Sequence, residues 1–371
     1  MRKYFYLAIL ILALALAACS PKAQPSAPSL PTTTQSQPTE SDSWKKLVEA
    51  AQKEGKLTAY SAFLGSAAVT GPVTAAFKAK YNINVEVMGV TGAVGLERVK
   101  SEHAGQKYMA DTMDGNSATM LQAKDAGMLV PLSDLPALQE KDKWLTSPIF
   151  DPEKFIISMT PGMLTPYVNT SMVKAGDEPK SFMDFLDAKW KGGKIIVSPP
   201  KITGAMYFAY VTLVPKGILT DDYYIKLGKQ GLFLTPNIQD SNASLGRGDA
   251  PLHFGGTSSF MATLYARGAP IKPIVMKEGT IYYLANPMTV LAKAPHPNAA
   301  KLFVNWMASQ EGQEAFHKAQ GDMSFRKDVP NFTAEALKVK PKKVFIITFG
   351  LQEETDRLTR LNYLDKLWGL E

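Results

Sequence analysis

Three short runs of glycine and hydroxyl residues have the composition of an anion cradle: Thr91-Gly92, Thr203-Gly204-Ala205 and Gly255-Gly256-Thr257-Ser258. Each follows a stretch that reads as a strand and precedes one that reads as a helix. Such a turn presents backbone N–H groups, hydroxyls and the positive end of a helix dipole without a formal charge. Donors converging from two sides of a cleft suit a carboxylate, phosphonate, phosphate or similar oxyanion. Ser61 and Asn116 each close a strand and belong on the same rim. Tyr167 follows a proline-bounded extended run. Lys201 and Tyr207 flank the second turn and would add a cation and a stacking face.

Residues for bond-breaking chemistry are missing from the pattern. His103, His253, His296 and His317 show no HExxH or HxH spacing. Neither a GxSxG elbow nor a Walker loop occurs, and Gly89-Val90-Thr91-Gly92 is no dinucleotide fingerprint. The one cysteine, Cys19, lies near the N-terminus, so a disulfide within the chain, a CxxC metal site and a thiol nucleophile in the folded body are excluded. The expectation is a binding protein without cofactor or bound metal. His296, in Ala-Pro-His-Pro-Asn, is read as capping the helix after it, and His253 lies beside the third turn.

The elements that must position these turns follow from apolar periodicity. Helical spacing from Trp44 to Gly55 is followed by a strand at Lys56–Ser61 and a helix from about Ala68 to Tyr81. Val85 starts a second strand. Leu96, Val99 and Lys100 mark a second helix, and a third unit pairs a strand at Ala110–Met113 with a helix near Ala118–Ala126. This β-α-β-α-β order predicts a doubly wound α/β lobe. Met159–Asn169 reads as a first crossing strand between lobes and Ile281–Leu291 as the return. Between them come a helix over Phe182–Trp190, a buried strand at Lys194–Ser198, helices through Tyr207–Leu213 and Asp221–Gln230, a strand from Pro251 and a helix over Phe260–Ala266. Helices at Ala299–Trp306 and Gln310–Lys318, an extended segment at Lys342–Thr348 and an amphipathic stretch at Leu351–Leu367 complete the chain. The lobes are expected at 44–160 with 282–330, and at 161–281 with 331–371.

The N-terminus reads differently. Met1-Arg2-Lys3 is a positive n-region, and Phe5–Ala15 is an apolar run too short to span a membrane comfortably. Leu16-Ala17-Ala18-Cys19 then matches a bacterial lipoprotein cleavage signal. Residues 1–18 are the expected signal peptide, and Cys19 the acylated residue that anchors the protein outside the cytoplasmic membrane. Residues 19–43 are rich in Pro, Ser, Thr and Gln and read as a disordered tether. The formal charge is +7 over 371 residues. With acidic residues interspersed throughout, that favours an anionic ligand mildly and does not suggest nucleic acid.

Several segments resemble those of bacterial extracellular solute-binding proteins, in the subgroup that contains the ferric-iron-binding proteins of ABC importers. They include LVEAAQKEGKLTAYSA, LERVKSEHAGQKYMADTM, EPKSFMDFLDAKWKGGKIIVSPP, ARGAPIKPIVMKEGT and, most specifically, APHPNAAKLFVNWMASQEGQEAF. The resemblance runs from Trp44 to about Val329. It implies a type 2 periplasmic-binding fold whose two α/β lobes close on a small ligand. A monomer of this kind hands its ligand to a permease driven by an ATPase. Ferric members bind iron through adjacent tyrosines in the turn matching Gly255–Ser258. This chain has no tyrosine there, and hydroxyls do not replace phenolates as hard ligands for Fe(III). The adjacent pairs Tyr223-Tyr224 and Tyr282-Tyr283 fall elsewhere, on a helix and at the return crossing. A small anionic solute is therefore the expected ligand. The alternatives are a ferric-binding protein of the same family, a sensor subunit presenting ligand to a membrane receptor and, least supported, a surface hydrolase.

Overall fold

The computed structural model describes residues 41–145, 151, 153–198, 204–347 and 351–368. One compact unit spans Asp42–Glu371. The signal segment, Cys19 and the tether to residue 40 lie outside the described residues. Among the described residues no helix is long and apolar enough to cross a membrane.

Helix α1 (Asp42–Glu54) is followed by β1 (Lys56–Ser61), α2 (Ala67–Tyr81), β2 (Asn84–Gly89), α3 (Gly92–Ala104), β3 (Thr112–Asp114) and α4 (Ser117–Asp125). Val69, Val73 and Phe77 recur at intervals of four and form the buried stripe of α2. β1 pairs in parallel with β2 on one side and β3 on the other, so the local order is β2-β1-β3.

Strand β4 (Ile157–Asn169) leads into the second half. The helix expected over Phe182–Trp190 is instead two 3₁₀ turns, Phe182–Leu186 and Ala188–Trp190. Asp187 separates them with an extended backbone, and Ser181 with Asp184 closes a capping box on the first. Next come β5 (Ile195–Val197), α5 (Ala205–Leu213), α6 (Asp221–Gly228), β6 (Phe233–Leu234), α7 (Ile238–Arg247), β7 (Leu252–Thr257), α8 (Ser258–Ala266) and β8 (Ile271–Pro273). The periodicity does not reveal α7, because its buried face carries Ser241, Asn242 and Ser244 beside Leu245. Here too the first strand of the half is flanked in parallel by its second and third, giving β6-β5-β7.

Strand β9 (Thr280–Val290) returns, followed by α9 (Pro297–Ala308), α10 (Gln310–Gln320), β10 (Val344–Ile347) and α11 (Leu351–Trp368). β4 and β9 pair antiparallel from Ile157↔Met288 to Leu164↔Ile281. β3 joins the Met288–Val290 end of β9, while β7 joins the Leu164–Val168 end of β4. One mixed sheet thus runs β2-β1-β3-β9-β4-β7-β5-β6 through both α/β halves. The two halves have separate apolar cores. Trp44, Phe77, Phe303 and Trp306 belong to one, and Phe185, Tyr224, Phe254 and Leu213 to the other.

His296 occupies the N-cap position of α9 without a side-chain cap bond. Its ring Nδ1 lies 3.0 Å from Oδ2 of buried Asp111, which also accepts the backbone N–H of Thr58 at 2.7 Å. The first turn of α9 is satisfied from another element, since the Glu54 carboxylate accepts the N–H of Ala299 at 2.7 Å and the Asn298 amide at 2.7 Å.

Candidate ligand-binding site

A cleft of about 620 Å³ opens at the carboxyl ends of β3, β5 and β7. That volume is in the range of small-molecule sites, and strand carboxyl ends are where open α/β sheets bind ligands. Asn116 and Ser117 follow β3, Ser198 follows β5, and Gly255 and Thr257 end β7; all line the cleft. β9 contributes Tyr283 to Pro287. Asn286 interrupts the regular strand with φ of 48°, a left-handed conformation that asparagine tolerates, and its Nδ2 donates to Thr160 Oγ1 at 2.9 Å.

Four helices begin at this cleft. Ser117 opens α4, Gly204 and Ala205 open α5, Ile238 opens α7, and Thr257 is the N-cap of α8; each lines it. Asn116 and Asn237 cap α4 and α7, with Oδ1 accepting from Thr119 N at 2.9 Å and from Asp240 N at 2.8 Å. Among the described residues no side chain caps α5 or α8. Gly204 has no side chain to offer, and the Thr257 hydroxyl is engaged with Tyr283. Uncapped N-termini carry donors and a positive dipole end toward the cleft. The charged lining residues are Lys216 and Arg360; among the described residues no aspartate or glutamate lines the cleft.

His253 sharpens this polarity. Its Nδ1 accepts the N–H of Gly255 at 3.0 Å, which places the ring hydrogen on Nε2. Burial holds the imidazole down to about 3, so it is neutral at physiological pH. Nε2 is buried without a partner among the described residues, and His253 is one of the residues that line the cleft. The Thr212 hydroxyl, on α5, is likewise buried, unpartnered and part of the lining. Beside them is a flat aromatic face: Phe208 and Tyr283 stack with centroids 4.9 Å apart and planes at 14°. Burial raises the Tyr283 phenol to about 12 and keeps it protonated. Gly162 on β4 makes room for that ring, since a Cβ there would come within 1.9 Å of it.

Of the residues expected on the rim, Asn116, Gly204, Tyr207 and Thr257 are brought together in the cleft. Ser61, Thr91, Gly92, Tyr167, Gly256 and Ser258 are not among its lining residues. Thr203, like Lys201, lies outside the described residues. The physical reasons differ. Ser61 is buried and its hydroxyl accepts from Leu64 N at 2.9 Å. Thr91 is spent as the N-cap of α3, accepting from Val94 N at 3.4 Å. Gly92 lies against Gly115 so closely that a Cβ would be 2.6 Å from its Cα, so this glycine serves backbone packing. In β7, His253, Gly255 and Thr257 share one face, and strand alternation turns Gly256 to the other, against Met261 and Tyr167. Tyr167 and Ser258 line a separate cavity of about 20 Å³, and Met163 N donates to Ser258 Oγ at 3.5 Å. The cleft residues that the sequence did not single out are chiefly Ser198, Thr212, Lys216, Asn286 and Arg360. Of these only Asn286, in an Asn-Pro pair that breaks a strand, carries a local signal.

Two α/β halves joined by a crossing strand pair, with a cleft at their strand ends, have the architecture of two-lobed periplasmic binding proteins. The family model for bacterial extracellular solute-binding proteins matches residues 73–343, and the chain belongs to that family. It is thus a binding protein of the ABC-importer class and not an enzyme. A Haemophilus influenzae protein described only as uncharacterized is 27% identical over 311 residues, spanning 82% of this chain and 87% of its own. Among solved structures, the periplasmic binding protein AfuA from Actinobacillus pleuropneumoniae, with fructose-6-phosphate bound, has a TM-score of 0.59 and 22% identity, covering 86% of this chain and 100% of its own. A Trichodesmium protein, IdiA (FutA), in complex with iron and citrate, has a TM-score of 0.66 and 18% identity over 84% of this chain and 99% of its own. At these identities the structural likeness establishes the fold.

Proposed function

We propose that this protein captures a small organic anion in the cleft and delivers it to its permease. The observation that carries the reading is the convergence of four helix N-termini on a cavity whose charged lining residues are both cations. The uncapped starts of α5 and α8 supply backbone donors, and His253 Nε2 and Thr212 supply neutral ones. The Phe208–Tyr283 face and Leu121, Leu164 and Val211 would take an apolar body, which favours an organic anion over an inorganic oxyanion. The solved relatives hold a sugar phosphate in one case and iron with citrate in another, so anionic ligands occur within this fold.

Ferric iron as such fits the cleft poorly. Tyr223 and Tyr224 are buried in the second core, and Tyr224 Oη has no partner among the described residues. Tyr283 is in the cleft, but its raised phenol pKa disfavours the phenolate that Fe(III) requires. The protein is further proposed to hold to the outer face of the cytoplasmic membrane through acylated Cys19, which Cys19→Ser would release into the soluble fraction.

A thermal-shift screen of carboxylates, phosphonates, phosphate, amines and ferric citrate against the full chain tests the reading. Anions are expected to stabilise, by about 2.7 kcal/mol at a hundred times the dissociation constant. His253→Leu, which removes the Nε2 donor, should weaken the best anion roughly tenfold. Thr91→Val, off the cleft, should leave its affinity unchanged. Stabilisation by amines alone, or a red phenolate–iron band on adding ferric citrate, would sink the proposal.

A further inference from the structure

The family match ends at residue 343, yet the cleft does not. Ile346 and Ile347 of β10 and Arg360 of α11 line it. This C-terminal segment is fastened at both ends. β10 pairs in parallel with β9 from Val344↔Thr280 to Ile347↔Tyr283. α11 buries Leu361 and Leu364 in the second core, and Trp368 Nε1 donates to the Tyr224 carbonyl at 3.0 Å. Tyr363 Oη donates to Asp221 Oδ2 at 2.7 Å.

The segment meets a particular end of the cleft. α5 runs along the cavity, with Ala205 in its first turn and Thr212 near its last both in the lining. They are two helical turns apart, about 10 Å. The N-terminal end has uncapped N–H donors. Beyond the C-terminal end is Lys216, which is exposed and makes no ion pair among the described residues, and Arg360 lines the same cleft. Phe208 and Val211 on α5, Tyr283 on β9, and Ile346 give the space between an apolar wall. A cavity with the uncapped start of α5 at one end, an apolar middle, Lys216 beyond the other end and Arg360 close enough to α5 for its charge to act on Tyr210 matches a molecule with an anionic group at each end.

The geometry points to an elongated dianion as the ligand class, with the C-terminal segment as the third wall of the site and Arg360 and Lys216 as the subsite for the second anionic group. This rests on the anionic reading above and extends it. Specificity for length and for the second charge is then set by residues outside the part of the chain that the family shares.

The test measures binding of linear α,ω-dicarboxylates of increasing length, and of monocarboxylates of matched length, to the full chain by calorimetry. Dicarboxylates should overtake monocarboxylates once they are long enough to span the cavity. Arg360→Gln should remove that advantage, lowering the best dicarboxylate roughly tenfold and its monocarboxylate partner much less. Arg360→Lys should retain part of it. Lys216→Gln, at an exposed position, should act in the same direction and decides the matter if Arg360→Gln lowers the melting temperature of the unliganded protein. Monocarboxylates that bind as well as dicarboxylates at every length, or variants that weaken both series equally, would overturn the elongated site and leave the anionic reading standing. Failure of both series, together with phosphate and phosphonates, would remove the anionic reading and this inference with it.

Discussion

Asp114 sits one residue before the cleft-lining turn. It is buried, its Oδ1 accepts from Ala62 N at 2.8 Å, and its Oδ2 has no partner among the described residues. Burial raises its pKa to about 7, against the lowering effect of bonds from Ser61, Ala62 and Phe63. The folded state therefore holds this proton at pH values where the unfolded chain, near 3.8, has released it. Its contribution is complete below the unfolded value and is lost as pH rises through about 7. His253 acts in the opposite direction. Its folded value of about 3, below the ordinary 6.5, gives stability that is present above 6.5 and is lost as pH falls toward 3. Asp114→Asn imitates the protonated carboxyl. Its melting temperature should match the wild type below about pH 3.8 and exceed it by a margin that widens from there to about pH 7 and then levels off. Melting curves that stay parallel across that range would show that Asp114 is ionised in the folded protein.

At the scale of elements, the starts of α5 and α8 have no side-chain cap among the described residues, while other helix starts are closed by partners. α9 shows the second case. Its first turn is capped by Glu54, which lies at the end of α1. Glu54→Ala should cost about 1–3 kcal/mol, because charged hydrogen bonds to backbone donors are lost together, and should leave ligand affinity unaltered; chemical denaturation checks the first and calorimetry the second. No spacing in the sequence announces that cap, since its partners are separated by some 244 positions. The same limit governs how much else was legible. Apolar periodicity places β1 and the helices α2, α5, α9 and α10, and the proline-bearing apolar runs place the crossing strands β4 and β9. They fail for α7, whose buried face is polar, and for Phe182–Trp190, which Asp187 divides. For the site, Gly204 and Thr257 of the strand–turn–helix runs line the cleft. Thr91, the N-cap of α3, and Gly256, one step along β7 and so on its other face, do not line it. Arg360 and Lys216 are invisible to such reasoning, because only the packing of α11 and the end of α5 brings them to one cavity.

Over the whole molecule, the two cores meet within a single residue step on each crossing strand. On β4, Met163 belongs to the first core and Leu164 to the second; on β9, Tyr282 belongs to the first and Ile281 to the second. These residues are paired, Met163 with Tyr282 and Leu164 with Ile281. Neither core can lose its strands without exposing the other, so thermal unfolding should be a single cooperative transition although the cores are distinct. The places that can bend are the irregular ones: the register shift between Thr165 and Tyr167, where Pro166 supplies no N–H, and the left-handed Asn286. Motion there would bring the Asn116–Ser117 turn toward α5 and α8 without breaking the Met163–Tyr282 pairing. Binding energy shared by both sides of the cleft favours the closed arrangement only to the extent of its differential contacts. A saturating ligand is therefore expected to reduce the radius of gyration in solution scattering and to shift the single unfolding transition upward. Asn286→Val should weaken both effects, since a β-branched residue is strained in that conformation and the bond to Thr160 is lost. Two separate unfolding transitions would show that the halves are energetically independent. Ligand stabilisation without compaction would show that the cleft is preformed and that the crossing strands act as a rigid frame.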